Sequence, residues 1–255
     1  MMFFPGRETK VEAGYSFNLE QLRCYFTTRA LGDLTFARGE REQILANYWQ
    51  LEKATGIAPE QIVRPRLNNG DLVARVFASD AGKGVLKPPG HLYGVDAVYT
   101  NAPNIYIAIT TADCYPLILY DRRRLAVGIA HCGWRGIVRH LDEKLLTAMA
   151  TDFGTHPEDV VAVIGPGIGV CCYRQHDDGL RDAFSDYELP GLTRENNDGT
   201  YNIDIALALR ANLRAQGIDQ IVSTRHCTGC DSKFFSARME GTDTGRMLNL
   251  AAIVT

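Results

Sequence analysis

Four short apolar runs follow one another between residues 96 and 130, and turn residues bound each of them. They read DAVYT, IYIAITT, PLILYD and LAVGIA. Runs of this length that are dense in Ile, Val and Tyr are typical of buried β-strands. Apolar residues at helical spacing precede this block in EREQILANYWQLEKATGI, which ends at Gly56, and follow it in GIVRHLDEKLLTAMATDFG. Strands interleaved with helices predict a mixed α/β or α+β fold.

The rest of the chain continues this alternation. VVAVIG and IVSTRH are predicted strands, DDGLRDAFSDY contains a helix, and DIALALRANLRAQG is a helix with Asp204 as its N-cap. QIVRPRLNNGDLVARVFA reads as two strands about the turn NNGD, since Asn and Gly tolerate positive φ in a tight hairpin. SDAGKGVLKPPGHLYG reads as an irregular surface excursion, and the segment from SKFF onward as loop and closing strands. A length of 255 residues favours one domain spanning 1–255.

Charge and cysteine usage restrict the class of protein. A formal net charge of −3 provides no basic field for nucleic-acid phosphates, so no nucleic-acid partner is expected. The opening MMFFPG holds only a short apolar run, and no later stretch approaches the roughly 18 apolar residues of a membrane span. Seven scattered cysteines fit reduced thiols better than a disulfide framework. We therefore expect a soluble cytoplasmic protein, either a monomer or a small homo-oligomer, with no membrane partner.

Two predicted strand ends carry residues suited to chemistry. Cys114 falls in the break between the second and third runs, and His131 directly follows the fourth. A thiolate and an imidazole can form a nucleophile and its base, or two ligands of a zinc site. The alternative is a buried, inert cysteine and a hydrogen-bonded histidine. Asp113 favours a functional site, because a carboxylate at a strand end needs solvent, a donor or a metal.

The segment GWRG adds a candidate anion site. Its glycines allow close approach to a ligand, and a helix starting at or just after Gly136 would offer free N–H groups. Arg135 is then a candidate anion contact, and Trp134 is either a platform for an aromatic ring or a core residue.

Two further cysteine-containing segments are weaker signals. GPGIGVCCY lacks the spacing of a phosphate-binding loop, and adjacent Cys171 and Cys172 are expected to point in different directions as packing residues. CTGC, from Cys227 to Cys230 beside His226, is a single CxxC, whereas structural zinc usually requires a second pair of ligands.

Taken in order along the chain, five motifs resemble one known family. They are TTADCYPLILYD, AHCGWRG, IGPGIGVCCY, NLRAQGI and CTGCDSKFFSARMEGTDTGR, and YFTTR near the start resembles the family's early Thr-Arg landmark. Together they resemble the YfiH-like family, also called the laccase-domain or polyphenol oxidase family. The resemblance spans nearly the whole chain. It implies layered mixed sheets flanked by helices, similar to the fold of cysteine hydrolases related to the cytotoxic necrotizing factors.

The resemblance also implies an activity and a metal. Members look like zinc-containing purine nucleoside enzymes that phosphorolyse adenosine, inosine, guanosine and methylthioadenosine and deaminate adenosine. The implied small-molecule partners are therefore a purine nucleoside and phosphate. Two of the family's zinc ligands carry over onto Cys114 and His131, with Cys132 where the motif usually has alanine. The third, a histidine, does not carry over, because Asn69 stands at the corresponding position of RLNNGDLVARV.

An Asn carbonyl is a much poorer zinc donor than imidazole, so this departure bears on activity. His91, in the excursion, is a possible replacement ligand or simply a surface histidine. Copper is disfavoured, because six scattered histidines lack the His-x-His pairs of multicopper centres.

The predicted roles follow from these observations. Cys114, His131, Asp113 and Arg135 are the catalytic candidates, with Asp113 as a possible proton donor to the purine. Trp134 or Tyr115 would frame the base, and Arg29, Arg238 and Arg246 are candidates to complete the anion pocket. Two alternatives remain at this stage: a metal-free Cys-His hydrolase or deamidase, and a catalytically decayed member that acts as a binding protein.

Overall fold

The computed structural model describes residues 7–11, 13–37 and 39–255. The opening MMFFPG, residues 1–6, lies outside those ranges. The predicted lack of a signal peptide depends on this segment. No helix in the described ranges is long and apolar enough to cross a membrane.

Two six-stranded sheets form the centre of the molecule, with strands numbered in chain order. The first sheet has the spatial order β1 (Arg7–Val11), β2 (Gly14–Leu19), β3 (Leu22–Thr27), β15 (Met247–Ile253), β7 (Tyr106–Thr111) and β4 (Ile62–Val63). The second has the order β14 (Gln220–Ser223), β10 (Val160–Ile164), β8 (Tyr115–Asp121), β9 (Ala126–Cys132), β6 (Ala97–Thr100) and β5 (Val73–Arg75).

A small third sheet, six α-helices and five single-turn 3-10 helices make up the rest of the regular structure of the described ranges. The third sheet has the order β11 (Arg174–Gln175), β13 (Tyr201–Ile203) and β12 (Thr193–Glu195). The helices are α1 (Arg41–Thr55), α2 (Trp134–Val138), α3 (Leu141–Phe153), α4 (Gly179–Ala183), α5 (Ile205–Ala215) and α6 (Ala237–Glu240).

The buried side chains show how these elements are layered. Ile107 of β7 and Ile118 of β8 belong to one apolar cluster, so the two large sheets pack face to face. Leu117 and Leu119 point to the opposite side of the second sheet and pack with residues of α3 and α5. Residues of α1 pack with Leu250 and its neighbours on the outer side of the first sheet. Strands covered on both faces must be apolar throughout, which explains the continuous runs in the sequence. The predicted mixed α/β fold of layered sheets flanked by helices is confirmed.

Two helix ends that the sequence predicted from local signals are confirmed. Helix α1 ends where predicted, with Gly56 in the left-handed conformation at φ 75°. The Asp204 side chain accepts a hydrogen bond from the backbone N–H of Leu207 at 2.8 Å and caps α5 as predicted.

Two predictions of local structure are wrong. The segment around NNGD is not a hairpin, because β4 pairs with β7 in the first sheet and β5 pairs with β6 in the second. The helix expected from Gly136 begins at Trp134 and is interrupted, since His140 takes a left-handed conformation at φ 54° between α2 and α3. With only five residues, α2 is too short for its N–H groups to form the predicted anion site.

Candidate active site

The pairing of β8, β9 and β6 brings three polar side chains to one end of the second sheet. Strand β8 begins just after Cys114, and its register sets Pro116 opposite His131, the second-last residue of β9. Ala97 of β6 pairs with Ala130, which places Asp96 beside His131. His131 therefore lies within the strand, one residue before its end, and Asp96 joins the pair that the sequence predicted.

The histidine is held by two hydrogen bonds to Asp96. The Nδ1 atom of His131 lies 3.0 Å from Asp96 Oδ1, and the backbone N–H of His131 donates to the Asp96 carbonyl at 2.8 Å. Both side chains are buried. With Nδ1 turned to the carboxylate, Nε2 is the ring nitrogen left for another partner, and the Cys114 thiol is close enough to affect the ionisation of the ring.

This arrangement changes the ionisation of the histidine. Burial disfavours the charged imidazole, but the charge of Cys114 and the hydrogen bond to Asp96 outweigh it and raise the pKa of His131 to about 10. Burial acts against the charge of Asp96 as well, yet the bond to His131 and the N–H donors keep the pKa of that carboxyl below its usual range. Asp96 and His131 therefore form a charged pair at neutral pH.

The residues once predicted as a hairpin turn instead surround Asp96. Its two oxygens accept hydrogen bonds from the backbone N–H groups of Asn68, Asn69 and Gly70 at 3.1, 3.1 and 2.9 Å. Asn69 takes a left-handed conformation at φ 59°. This loop reaches the same cavity as Cys114 and His131, so Asn69 does lie at the edge of the candidate site.

A cavity of about 530 Å³ lies over the end of the sheet, and we call it the Cys114 pocket. Its lining includes Cys114, His131, Trp134, Arg135, Tyr173 and Arg238. The guanidinium of Arg135 lies 4.3 Å from the centre of the Trp134 ring, and that of Arg238 lies 5.1 Å from the Tyr173 ring. The pocket thus combines two cationic groups and two aromatic rings with the thiol and imidazole.

Asp113 is next to the thiol but is fully engaged as an acceptor. Its Oδ1 accepts from the hydroxyls of Thr228 at 2.6 Å and Ser236 at 2.7 Å, and its Oδ2 accepts from the backbone N–H of Arg238 at 2.7 Å. Asp113 itself has a left-handed φ of 92°. These contacts assign it to fixing the loop that carries Arg238, rather than to the predicted delivery of a proton.

Three predicted substrate contacts lie outside the Cys114 pocket. The hydroxyl of Tyr115 donates to the Ile168 carbonyl at 2.7 Å, and its ring is buried. Arg29 donates to the Phe234 carbonyl at 2.7 Å and pairs with Glu240. Arg246 donates to backbone carbonyls of the loop before β15, such as that of Gly245 at 2.9 Å. All three bind other parts of the protein. Trp134, Arg135 and Arg238 line the cavity, and the Arg238 guanidinium also donates to the Arg174 carbonyl at 3.1 Å.

The donor atoms at the Cys114 pocket do not fit a zinc site with three protein ligands. Cys114 and His131 supply two, and among the described residues no further histidine, cysteine or carboxylate converges with them. Asn69 offers only an amide oxygen. His91 is exposed, 3.9 Å from Asp80, and does not line the pocket.

A second set of thiols converges elsewhere. The Sγ atoms of Cys171, Cys172, Cys227 and Cys230 all lie within 4.8 Å of one another, and we call them the thiol cluster. This arrangement can hold a metal ion. The prediction that Cys171 and Cys172 diverge as packing residues is wrong, because they lie in a turn rather than a strand and do not alternate between two faces. They supply the second pair that CTGC lacked.

Two functional residues gave no usable signal in the sequence. Asp96 opens an apolar strand and reads as a turn residue, and Tyr173 reads as the end of a Gly-rich segment. Only strand pairing and the fold of the 165–173 turn bring them to the pocket.

Comparison with known proteins gives a consistent picture. Residues 27–254 match the family described as multi-copper polyphenol oxidoreductase laccase. A purine nucleoside phosphorylase of Bacteroides thetaiotaomicron is 32% identical over 223 residues, covering 84% of this chain and 81% of the relative. An adenosine deaminase, RL5, from an unknown prokaryotic organism is 32% identical over 197 residues, covering 75% and 74%. The crystal structure of YlmD from Geobacillus stearothermophilus superposes with a TM-score of 0.89 at 27% identity, covering 98% of this chain and all of the other.

Proposed function

We propose that this chain, which belongs to the family described as multi-copper polyphenol oxidoreductase laccase, cleaves purine nucleosides with inorganic phosphate. Proteins similar to it include purine nucleoside phosphorylases. One observation carries the proposal: Arg135 and Arg238 line the same cavity as the Cys114 and His131 pair and two aromatic rings. Guanidinium groups bind phosphate through paired N–H donors, and aromatic side chains can stack on a purine. Adenosine, inosine, guanosine and methylthioadenosine are the proposed substrates.

The proposed reaction needs positioned reactants and one proton. A phosphate oxygen forms a bond to C1′ of the ribose as the bond from C1′ to purine N9 breaks, and the purine leaves with the bonding electron pair. Arg135 and Arg238 hold the phosphate, and holding it against the sugar contributes much of the rate. The leaving purine takes a proton, and His131, charged beside Asp96 and next to Cys114, is the proposed source.

The proposed steps do not involve a metal ion at this pocket. Zinc bound there would activate water or polarise phosphate, but Cys114 and His131 are only two of the three ligands that a catalytic zinc takes. Deamination of adenosine is a separate proposed activity. The same assay would detect it by the formation of inosine or hypoxanthine. Polyphenol oxidation is not proposed, since one histidine at the pocket cannot assemble several copper ions.

A thiol hydrolase is the second candidate, and a specific observation favours it. Cys114, His131 and Asp96 stand in the order nucleophile, base and orienting carboxylate. In such an enzyme the Cys114 thiolate attacks the carbonyl carbon of an amide or ester, and His131 protonates the leaving group. The electron pair of the broken bond leaves with the amine or alcohol.

The test uses chromatography to measure the release of adenine from adenosine in reactions with and without phosphate. We expect adenine and ribose 1-phosphate only when phosphate is present. Arg135→Ala should raise the KM for phosphate about tenfold, since a hydrogen bond between charged groups contributes about 1.5 kcal/mol or more. Arg123→Ala, in an exposed turn where Arg123 pairs with Asp159 at 3.3 Å, is the matched control and should leave the rate unchanged.

Three outcomes discriminate the alternatives. Adenine release that does not depend on phosphate would contradict phosphorolysis and indicate hydrolysis. Turnover of amide or ester substrates that Cys114→Ala abolishes, with no nucleoside cleavage, would favour the thiol hydrolase. No turnover of any purine nucleoside, together with binding of one, would identify a catalytically decayed binding protein.

A further inference from the structure

The thiol cluster joins two loops that are far apart in sequence. Cys171 and Cys172 belong to the Gly-rich turn after β10, and Cys227 and Cys230 belong to the loop after β14. The two segments also pair through backbone contacts, with the N–H of Thr228 donating to the Gly167 carbonyl at 3.0 Å. None of the four cysteines lines the Cys114 pocket.

The sulfur distances fit one shared ion. Cys171 Sγ lies 3.5 Å from Cys227 Sγ and 3.2 Å from Cys230 Sγ, and Cys172 Sγ lies 3.3 Å from Cys230 Sγ. In a zinc tetrahedron with bonds of about 2.3 Å, neighbouring sulfurs are about 3.8 Å apart. A small outward movement of each thiol would therefore accommodate the ion at the centre of the cluster.

The pattern of contacts does not match two disulfides. Cys171 contacts both Cys227 and Cys230, and Cys230 contacts both Cys171 and Cys172, so the contacts are shared rather than exclusive. A disulfide framework requires exclusive partners about 2 Å apart, whereas a tetrahedral ion requires every thiol to face a common centre.

The backbone around the cluster leaves room only for glycine. A Cβ atom on Gly229 would lie 2.7 Å from Cys172 Cβ and 2.9 Å from its Sγ. A Cβ atom on Gly169 would lie 3.2 Å from Cys171 Sγ and 3.3 Å from Cys227 Sγ. Neither glycine has a positive φ. The lack of space beside the thiols, and not the backbone conformation, therefore explains why glycine stands at both positions.

Cys227 has a hydrogen-bond donor that favours its charged form. The backbone N–H of Gly169 donates to Cys227 Sγ at 3.1 Å, the kind of outer hydrogen bond that stabilises a metal-bound thiolate. Arg210 and Arg225 line the cavity on one side of the cluster, and Arg174 and Arg238 line the cavity on the other. Four thiolates around Zn²⁺ carry a net charge of −2, which these cations offset in part, since Arg210 and Arg174 also pair with Asp204 and Asp198.

We propose that Cys171, Cys172, Cys227 and Cys230 bind one Zn²⁺ ion as a structural site, separate from the Cys114 pocket. Cysteine thiolates alone are typical ligands of structural zinc. The four thiols lose their protons as the ion binds, and no electron transfer is involved.

The ion would act on the active site through the loop that it anchors. Thr228 lies inside the CTGC segment, and its hydroxyl donates to Asp113, which also accepts from the backbone N–H of Arg238. The same ion that joins the two loops therefore fixes the position of Asp113 and of the Arg238 backbone beside the pocket. This makes the four cysteines positioning residues and not catalytic ones.

The first experiment measures zinc in untagged protein purified under reducing conditions without chelator. We expect about one zinc per chain in the wild type and in Cys114→Ser. Cys171→Ser and Cys230→Ser should contain almost none. Zinc that is retained in Cys230→Ser but lost in Cys114→Ser would overturn the proposal and place the ion at the Cys114 pocket. A zinc-free wild type with the lower mass of a disulfide-bonded chain would overturn it too.

A second measurement needs no variant, so it is independent of folding failures. Co²⁺ titrated into the metal-free wild type should give the intense sulfur-to-cobalt absorption of a tetrahedral tetrathiolate site, saturating at one equivalent. Weak absorption typical of oxygen and nitrogen ligands would refute the tetrathiolate site. Neither readout depends on nucleoside turnover, so failure of the proposed function leaves this test intact.

Discussion

At the scale of single residues, Gly133 determines how closely the chain can approach the thiol of Cys114. A Cβ atom at this position would lie 2.8 Å from Cys114 Sγ. Its backbone angles, φ −75° and ψ 171°, suit any residue, so only the space beside the sulfur requires glycine. The position therefore tests the geometry of the site without straining the backbone.

We expect Gly133→Ala to displace the sulfur and lower the rate of nucleoside cleavage by at least about tenfold, since sub-ångström misplacement of a reacting group is costly. The melting temperature should change little. Gly179→Ala, at the start of α4, is the matched control, because its Cβ would meet only the flexible Asp177 side chain. Equal rates for Gly133→Ala and the wild type would show that the sulfur position does not matter for the reaction.

His131 should make the stability of the protein depend on pH. Its pKa is raised to about 10 in the folded chain, mainly by Cys114 and Asp96 acting against burial, and is about 6.5 when unfolded. A raised histidine pKa stabilises the fold fully below about pH 6.5, and this contribution is lost as the pH rises toward 10. The free energy of unfolding that separates wild type from His131→Asn should therefore shrink over that range.

Urea denaturation at a series of pH values measures this difference. His140→Asn is the control for histidine replacement, since His140 is exposed and lies outside the pocket. A wild-type advantage over His131→Asn that stays constant from pH 6 to pH 10 would contradict the charged pair of His131 and Asp96.

At the scale of elements, α3 and α5 meet around one buried carboxylate. Asn212 and Gln216 of the α5 region donate to Asp142 at 3.3 and 2.5 Å. Burial outweighs these bonds and raises the pKa of Asp142. The other amide atom of Gln216, Oε1, is buried and has no hydrogen-bond partner within the described part of the chain.

Asp142→Asn should therefore stabilise the protein at pH 7 by about 1 kcal/mol, a typical scale for a single substitution, because it removes a charge that burial disfavours. The new amide can donate to Gln216 Oε1 once the Gln216 side chain flips, so the number of hydrogen bonds stays the same. A raised carboxyl pKa costs stability as the pH rises above its unfolded value, so the advantage of Asn should grow from about pH 4 upward.

Glu143→Gln is the matched control, because it removes the same charge from the same first turn at an exposed position. Chemical denaturation of both variants at pH 4 and pH 7 separates the effects. A loss of stability in Asp142→Asn at pH 7 would show that the carboxylate is favoured as a charged partner at the start of α3.

The elements also show which features the sequence could predict. The runs DAVYT to LAVGIA became β6 to β9 because their apolar character follows from burial on both faces. The hairpin at NNGD failed because Asp96, 26 to 28 residues away, takes the N–H groups of that turn. The break at His140 likewise follows from packing in three dimensions, since the apolar spacing continues through it. Local patterns hold only where no distant group competes for the backbone.

At the scale of the whole molecule, the candidate site is assembled from six separate segments. They come together only when both the sheet and the loops above it are complete, and they contribute Asn69, Asp96, Cys114, His131, Tyr173 and Arg238. The sequence could nominate Cys114, His131, Arg135 and Arg238, whose motifs are distinctive. It could not reveal that Asp96 supports the histidine or that two pairs of cysteines converge, because both features depend on contacts between residues that are far apart in the sequence.

Strand β15 is the element on which the first sheet most depends. It lies between β3 and β7 and pairs with both, and its residues are buried throughout. Deleting residues 247–255 should therefore abolish cooperative thermal unfolding and leave the protein insoluble. Deleting Thr255 alone removes one exposed hydrogen bond from Asn104 and should leave the melting temperature nearly unchanged. A soluble, cooperatively unfolding 246-residue product would show that β3 and β7 can pair without it.

The central place of β15 also has a consequence during synthesis. A ribosome makes β3 and β7 well before β15, so at about 5–20 residues per second β7 waits roughly 7 to 27 seconds for its partner. Throughout that interval the nascent chain presents two unpaired strand edges that can bind other chains. The yield of native protein is then set by how well these edges are shielded before translation reaches the last strand.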